Sequence, residues 1–170
     1  VTIIKGHITR QDTIEKILSN FNNEKVDVVI FDGAPDVTGL IDIDMYMQVE
    51  LIIFSLVIAM KLLKNGGTYV AKIFKVGARD DCKEMITDNL YAVKSDFYYE
   101  KVKILFDNIF YFKPSSSRPS SHETYLICEN FGIEDQGVYN IIMNSSMEQI
   151  FNVEDKIKDE KTKNFLQFLI

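Results

Sequence analysis

Three ionisable residues, Asp32, Lys72 and Glu123, stand where predicted strands begin or end. Asp32 follows the apolar run Val26 to Phe31 and opens the stretch Asp32-Gly33-Ala34-Pro35-Asp36-Val37-Thr38-Gly39. A buried strand that ends in an acid and breaks into a Gly/Pro loop puts a carboxylate at the carboxyl edge of a sheet. That edge is where open α/β sheets bind ligands. Lys72 lies near the end of a second run, Thr68 to Phe74, and Glu123 just ahead of a third, Thr124 to Asn130. A lysine near two carboxylates has two uses. It accepts a proton if burial or a second cation makes its neutral form accessible; otherwise it stays a cation and stabilises developing negative charge. Each residue alone also has a plainer reading: a turn cap, the polar end of a strand, a surface acid. Glu123 beside His122 suggests a metal pair but lacks a third ligand.

The elements that must position these residues follow from hydrophobic spacing. Val1 to Ile4 reads as the end of a strand. Asp12 is placed to cap a helix to about Phe21, with Ile14, Ile17, Leu18 and Phe21 on one face. Val26 to Phe31, apolar except for Asp27, suits a parallel strand buried on both faces. Asp42 or Asp44 begins a long helix to about Leu63, with Lys61 and Lys64 at its negative end and Gly66-Gly67 as its stop. After the strand Thr68 to Phe74, residues 77 to 106 read as two helical segments. The first, around Asp80 to Leu90, is irregular enough to be an insertion, near 78 to 97. Asn108 to Phe112 and Thr124 to Asn130 are the last two strands. They are joined by a loop over Lys113 to Ser121 rather than a crossover helix, so the final strand should run antiparallel. An amphipathic helix is expected from Val153 to Leu169, as a packing element or a partner-docking one. The order β-α-β-α-β-α-β-β predicts a mostly parallel α/β sheet with helices on both faces.

With 170 residues and 46% hydrophobic content, the chain can build one domain with a real core. The net charge of -6 and pI near 5.0 argue against a broadly basic nucleic-acid surface, so any RNA contact needs a local basic cluster or a partner. Cys82 and Cys128 have no metal-ligand spacing and read as reduced thiols of a reducing compartment, here the cytoplasm. No apolar run reaches the roughly 18 residues of a membrane span. The longest, Leu51 to Met60, contains Ser55 and reads as a buried helix.

Four blocks then carry a family resemblance. They are Asp-Gly-Ala-Pro-Asp-Val-Thr-Gly (32–39), Asp42-x-Asp44-x-Tyr46-Met47-Gln48, Gly66-Gly67-Thr68-Tyr69-Val70-Ala71-Lys72-Ile73-Phe74, and Lys113-Pro114-x-Ser116-Ser117-Arg118-x-x-Ser121-x-Glu123. Together they resemble the signature blocks of the FtsJ/RrmJ-type RNA 2'-O-methyltransferases, from about Ile3 to Phe131. The wording of the first two is most similar to the eukaryotic branch that acts on the tRNA anticodon loop. The resemblance implies a Rossmann-like methyltransferase sheet, S-adenosylmethionine as methyl donor, and a Lys-Asp-Lys-Glu tetrad. In it Asp32 is the acid, Lys72 the second lysine and Glu123 the final acid. Residues 1–134 would then be the C-terminal portion of the catalytic domain, with 135–170 a mainly helical extension packed on it.

Two departures from the family pattern stand out. The first tetrad lysine and the Gly-rich donor loop normally lie upstream of Val1, so residues are expected there. In Gly6-His7-Ile8-Thr9 the family usually has an acid contacting the donor's adenine; here His7 offers one imidazole acceptor. His7, Ile8 and Asp32 are the donor contacts so implied. Lys75, Lys113 and Arg118, with Arg79, form the local basic strip available for RNA phosphate. An accessory protein that selects the target nucleotide is implied as a partner. The competing readings are methylation of ribosomal RNA or an mRNA cap, and a binding module that kept the fold without the reaction.

Overall fold

Hydrophobic spacing in the first helix shows how local pattern becomes packing. In the computed structural model, which describes residues 1–8, 10–36, 38–74, 84–87, 90–92, 99, 102–118, 121, 123–133 and 136–144, α1 spans Gln11–Asn20. It buries Ile14, with Ile17 and Leu18 partly buried against the same core. Asp12 does not cap it. The N-cap is Arg10, without a side-chain cap bond, and Asp12 lies within the first turn, paired with Arg10 at 3.1 Å and Lys16 at 3.5 Å. There the carboxylate still complements the positive helix end. Phe21, expected on the buried face, lies past the helix end and is exposed. Val1 to Ile4 forms no strand: Val1 and Ile3 are exposed, and isolated extended chain has no ladder to hold it.

β1 (Val26–Phe31) leads through a loop to α2 (Ile41–Leu62), which passes directly into β2 (Leu63–Phe74). The expected stop at Gly66-Gly67 is instead a bulge inside β2, where the β1–β2 register shifts between Val26 and Val28. α2 is apolar around most of its circumference and is buried from Ile52 onward except for Phe54, which is partly covered. The remaining elements are β3 (Glu84–Thr87), β4 (Leu90–Ala92), β5 (Phe106–Phe112), β6 (Glu123–Phe131) and α3 (Gln136–Asn144). They complete a six-stranded sheet of order β1-β2-β6-β5-β4-β3.

The α/β class and the antiparallel final strand are as expected. The parallel share is smaller than the sequence suggests: among the described strands only β1 and β2 run parallel. The reason lies in the connections. α2 provides the crossover a parallel pair needs, whereas β5 and β6 are joined by a loop and β3–β4 forms a hairpin. That hairpin corrects the helical reading of residues 80 to 90. Its strands extend the sheet edge through β4–β5 pairing, and the two residues joining them, Asp88-Asn89, are turn formers by type. The expected helix at Val153–Leu169 lies outside the described residues.

One face of the central strands β2, β6 and β5 is covered. Tyr69, Ala71 and Ile73 of β2, Leu126 and Cys128 of β6 and Tyr111 of β5 are at most 1% exposed and join one cluster with α2. The Tyr69 hydroxyl meets Ser55 Oγ at 2.5 Å. Ser55 in turn donates to the Ile52 carbonyl at 2.8 Å, so both buried hydroxyls are satisfied. The alternate residues face the other way. Val28 and Ile30 of β1 are 49% and 70% exposed, and Val70, Lys72, Tyr125, Ile127, Phe110 and Phe112 are only half-buried. No helix among the described residues is long and apolar enough to cross a membrane.

Candidate active site

Strand register alone brings the ionisable residues to the half-open face. In the parallel β1–β2 pair Phe31 lies opposite Ala71, so the next residues, Asp32 and Lys72, are neighbours. Lys72 Nζ lies 2.6 Å from Asp32 Oδ1. The lysine side chain is 16% exposed and the carboxylate 68%, so the ammonium sits inward with the acid on its solvent side. On the opposite flank, antiparallel β6 places Tyr125 across from Lys72 and Glu123 across from Phe74. Residues 123 and 125 share a face in a strand, which puts Glu123 diagonal to Lys72.

The charge state of Lys72 follows from these neighbours. The hydrogen bond to Asp32 raises its pKa above the ordinary 10.5, against the opposing effect of burial, and the charges of Asp32, Glu123 and Tyr125 add to the rise. Lys72 is therefore an ammonium at neutral pH, paired with Asp32 and within the field of Glu123. Tyr125 is a neighbour the sequence reading missed. The signal was available in strand alternation, since it stands two residues after Glu123.

The loop before β6 is shaped by its own polar groups. Lys113 Nζ donates to the Ser121 carbonyl at 2.5 Å, closing the loop, while the Ser117 and Ser121 amides donate to the Pro114 and Arg118 carbonyls at 2.9 Å each. Ser121 Oγ accepts the Glu123 amide at 3.2 Å and lies 3.5 Å from Glu123 Oε2, steadying the acid where β6 begins. Thus Lys113, read from sequence as a phosphate contact, spends its ammonium on loop closure. Arg118 is exposed beside it. Lys75, Arg79 and His122 lie outside the described residues, as does Cys82. Among the described residues no three His, Cys, Asp or Glu side chains converge as a metal site.

His7 and Ile8 belong to the segment entering α1. His7 is exposed and its carbonyl accepts the Arg10 amide at 3.0 Å; Ile8 is partly buried against the core. Their position is set by α1 rather than by the Asp32–Lys72 pair. A lysine between two acids beside a half-open sheet face can bind and orient a hydroxyl and stabilise or accept its proton.

Comparison with known proteins bears on which hydroxyl. The family model described as FtsJ-like methyltransferase matches residues 1–131. A Schizosaccharomyces pombe protein named tRNA (cytidine(32)/guanosine(34)-2'-O)-methyltransferase is 40% identical over 131 residues, covering 77% of this chain and 40% of its own. Ribosomal RNA large subunit methyltransferase E of Methanocaldococcus jannaschii is 37% identical over 133 residues, covering 77% and 48% respectively. The chain thus spans less than half the length of these relatives. The crystal structure of a Plasmodium falciparum protein described as a ribosomal RNA methyltransferase shares the fold, with a TM-score of 0.52 and 23% identity over 75% of this chain and 62% of that one.

Proposed function

Because the chain belongs to the FtsJ-like methyltransferase family, we propose that it forms part of an S-adenosylmethionine-dependent enzyme methylating ribose 2'-hydroxyls of RNA, with the tRNA anticodon loop as substrate. The observation that carries this reading is the Asp32–Lys72 pair at 2.6 Å with Glu123 on the adjoining strand. The choice of tRNA is supported by the Asp32–Gly39 and Tyr46-Met47-Gln48 wording and by the fission-yeast relative.

The residues present fit the methyl donor. The Asp32 carboxylate is largely exposed beside Lys72, Ile8 is an apolar residue partly buried against the core, and an imidazole such as that of His7 can accept from an adenine amino group. When bound, S-adenosylmethionine supplies a methyl already activated on a sulfonium. What remains for the protein is alignment and one proton. Lys72 Nζ holds the 2'-oxygen and takes its proton, while Asp32 and Glu123 fix the direction of the lysine. As paired in the structure, Lys72 is a cation. Service as a base therefore needs a second cation near it in the complete site, which lowers its pKa.

Phosphate contacts fall to Arg118, on the loop that Lys113 closes, and to Lys75. The net charge of -6 supports RNA binding shared with an accessory protein that selects the nucleotide. The buried free thiol of Cys128 suits a reducing compartment, and we place the protein in the cytoplasm. Incubating the full-length protein with labelled donor and, separately, tRNA, ribosomal RNA and capped RNA tests the substrate. Label in tRNA supports the reading; label confined to ribosomal RNA moves it to the branch represented by the Methanocaldococcus relative.

A further inference from the structure

We infer that Asp44 is a positioning residue for this site: its carboxylate fixes the loop from Asp32 to Gly39 in the shape that presents Asp32 to Lys72. The inference rests on the methyl-transfer reading of the Asp32–Lys72 pair and adds a residue to it.

Asp44 is the fourth residue of α2 and only 8% exposed. Both of its oxygens are used, and every donor comes from the loop. Oδ1 accepts the Thr38 amide at 2.8 Å and the Thr38 hydroxyl at 2.7 Å, and Oδ2 accepts the Gly39 amide at 3.2 Å. Thr38 Oγ1 then accepts the Leu40 amide at 3.2 Å. Three consecutive backbone amides just ahead of α2, those of Thr38, Gly39 and Leu40, are thus paired through one carboxylate and one hydroxyl. Among the described residues no lysine or arginine pairs with Asp44, so its charge answers the Thr38 hydroxyl, backbone dipoles and the helix N-terminus. Its pKa is lowered first by the Thr38 amide bond, which keeps the group ionised.

The rest of the loop has little room to compensate. Gly39 has φ +84, a conformation that side chains resist, and it turns its amide back toward Asp44. Pro35 is buried, and a Cβ on Gly33 would run into the Phe31 ring. The loop is therefore held at its start by Phe31 and Lys72, in the middle by Pro35, and at its end by Asp44. Loosening the last point frees Asp32, on which the direction and proton affinity of Lys72 depend.

The test is steady-state methyl transfer to tRNA by the full-length protein, with pH–rate profiles and thermal unfolding, for Asp44→Asn and Thr38→Val. Asparagine keeps one acceptor for Thr38 and turns an amino group against the Gly39 amide. The expected result is a fall in kcat of about tenfold or more with KM little changed. The ionisation governed by Lys72 moves to lower pH, as in Asp32→Asn, and Asp32→Asn/Asp44→Asn shifts it no further. Thr38→Val gives the same shift more weakly and decides the matter if Asp44→Asn does not fold. A lowered melting temperature with kcat and pH profile unchanged would overturn the inference and leave Asp44 a helix cap. Lys72→Ala separates the two levels: if it stays fully active, the catalytic reading of the Asp32–Lys72 pair fails; if it is inactive while Asp44→Asn and Thr38→Val behave as wild type, only the positioning role fails.

Discussion

Lys72 is where charge and geometry disagree most usefully. Its acidic neighbours hold it in place and also hold its proton, so removing one of them should lower its pKa. Asp32→Asn is therefore expected to move the Lys72-governed limb of the pH–rate profile to lower pH while reducing the rate through lost alignment. An unmoved limb would place the relevant ionisation elsewhere. Lys72→Arg separates base from cation: a guanidinium holds charge but does not release its proton, so the variant should be as inactive as Lys72→Ala in single-turnover methyl transfer. Asp32 and Lys72 were legible in the sequence because one follows a readable apolar run and the other stands near the end of the next. The engagement of Lys113 with Ser121 was not, because a basic residue in a Ser/Pro loop looks the same whether it faces phosphate or a backbone carbonyl.

Between elements, two lysines tie helix ends together. Lys25 Nζ donates to the Lys61 carbonyl at the end of α2, and Lys61 Nζ donates to the Ile142 carbonyl near the end of α3, each at 2.6 Å. Cations suit the negative ends of helices, but Lys61 is only 4% exposed. Burial, with the nearby Lys25 charge, lowers its pKa from 10.5 to about 8. Below pH 8 the folded and unfolded states both hold the proton, and the cost of burying the cation counts in full. Between about 8 and 10.5 only the unfolded chain keeps it, so stability rises with pH. Buried Cys128 acts the other way above its ordinary pKa of 9, since the fold keeps the thiol protonated. Comparison with Lys61→Met in denaturant unfolding isolates the lysine. The stability of the variant relative to wild type should fall by about 2–3 kcal/mol from pH 7.5 to 10.5. A difference independent of pH would mean that Lys61 is not neutralised in the fold. At this scale the long α2 was legible from its apolar run, whereas β3–β4 was not. Short strands at a sheet edge take their conformation from pairing, here of β4 with β5 and of β3 with β4, and pairing with a strand distant in sequence leaves little local signal.

At the scale of the molecule, the central strands β2, β6 and β5 are closed on one face and half-open on the other among the described residues, and the Asp32–Lys72 pair sits on the open one. Sequence order gave the α/β class and the antiparallel last strand. It overstated the parallel share because strand direction depends on whether a crossover or a hairpin joins neighbours, and the residues after β2 read as helix. The acidic balance, which argues against RNA, is a property of the whole surface; the site is local and needs only a few cations or a partner's surface. The most direct test of the account is single-turnover methyl transfer from labelled S-adenosylmethionine to tRNA by the full-length protein and its Lys72→Ala variant, with the label located by nucleoside analysis. The expected result is 2'-O-methylribose in the wild-type product and a rate loss of about a hundredfold or more in the variant. A variant as fast as wild type, or label on a base rather than on ribose, would contradict it.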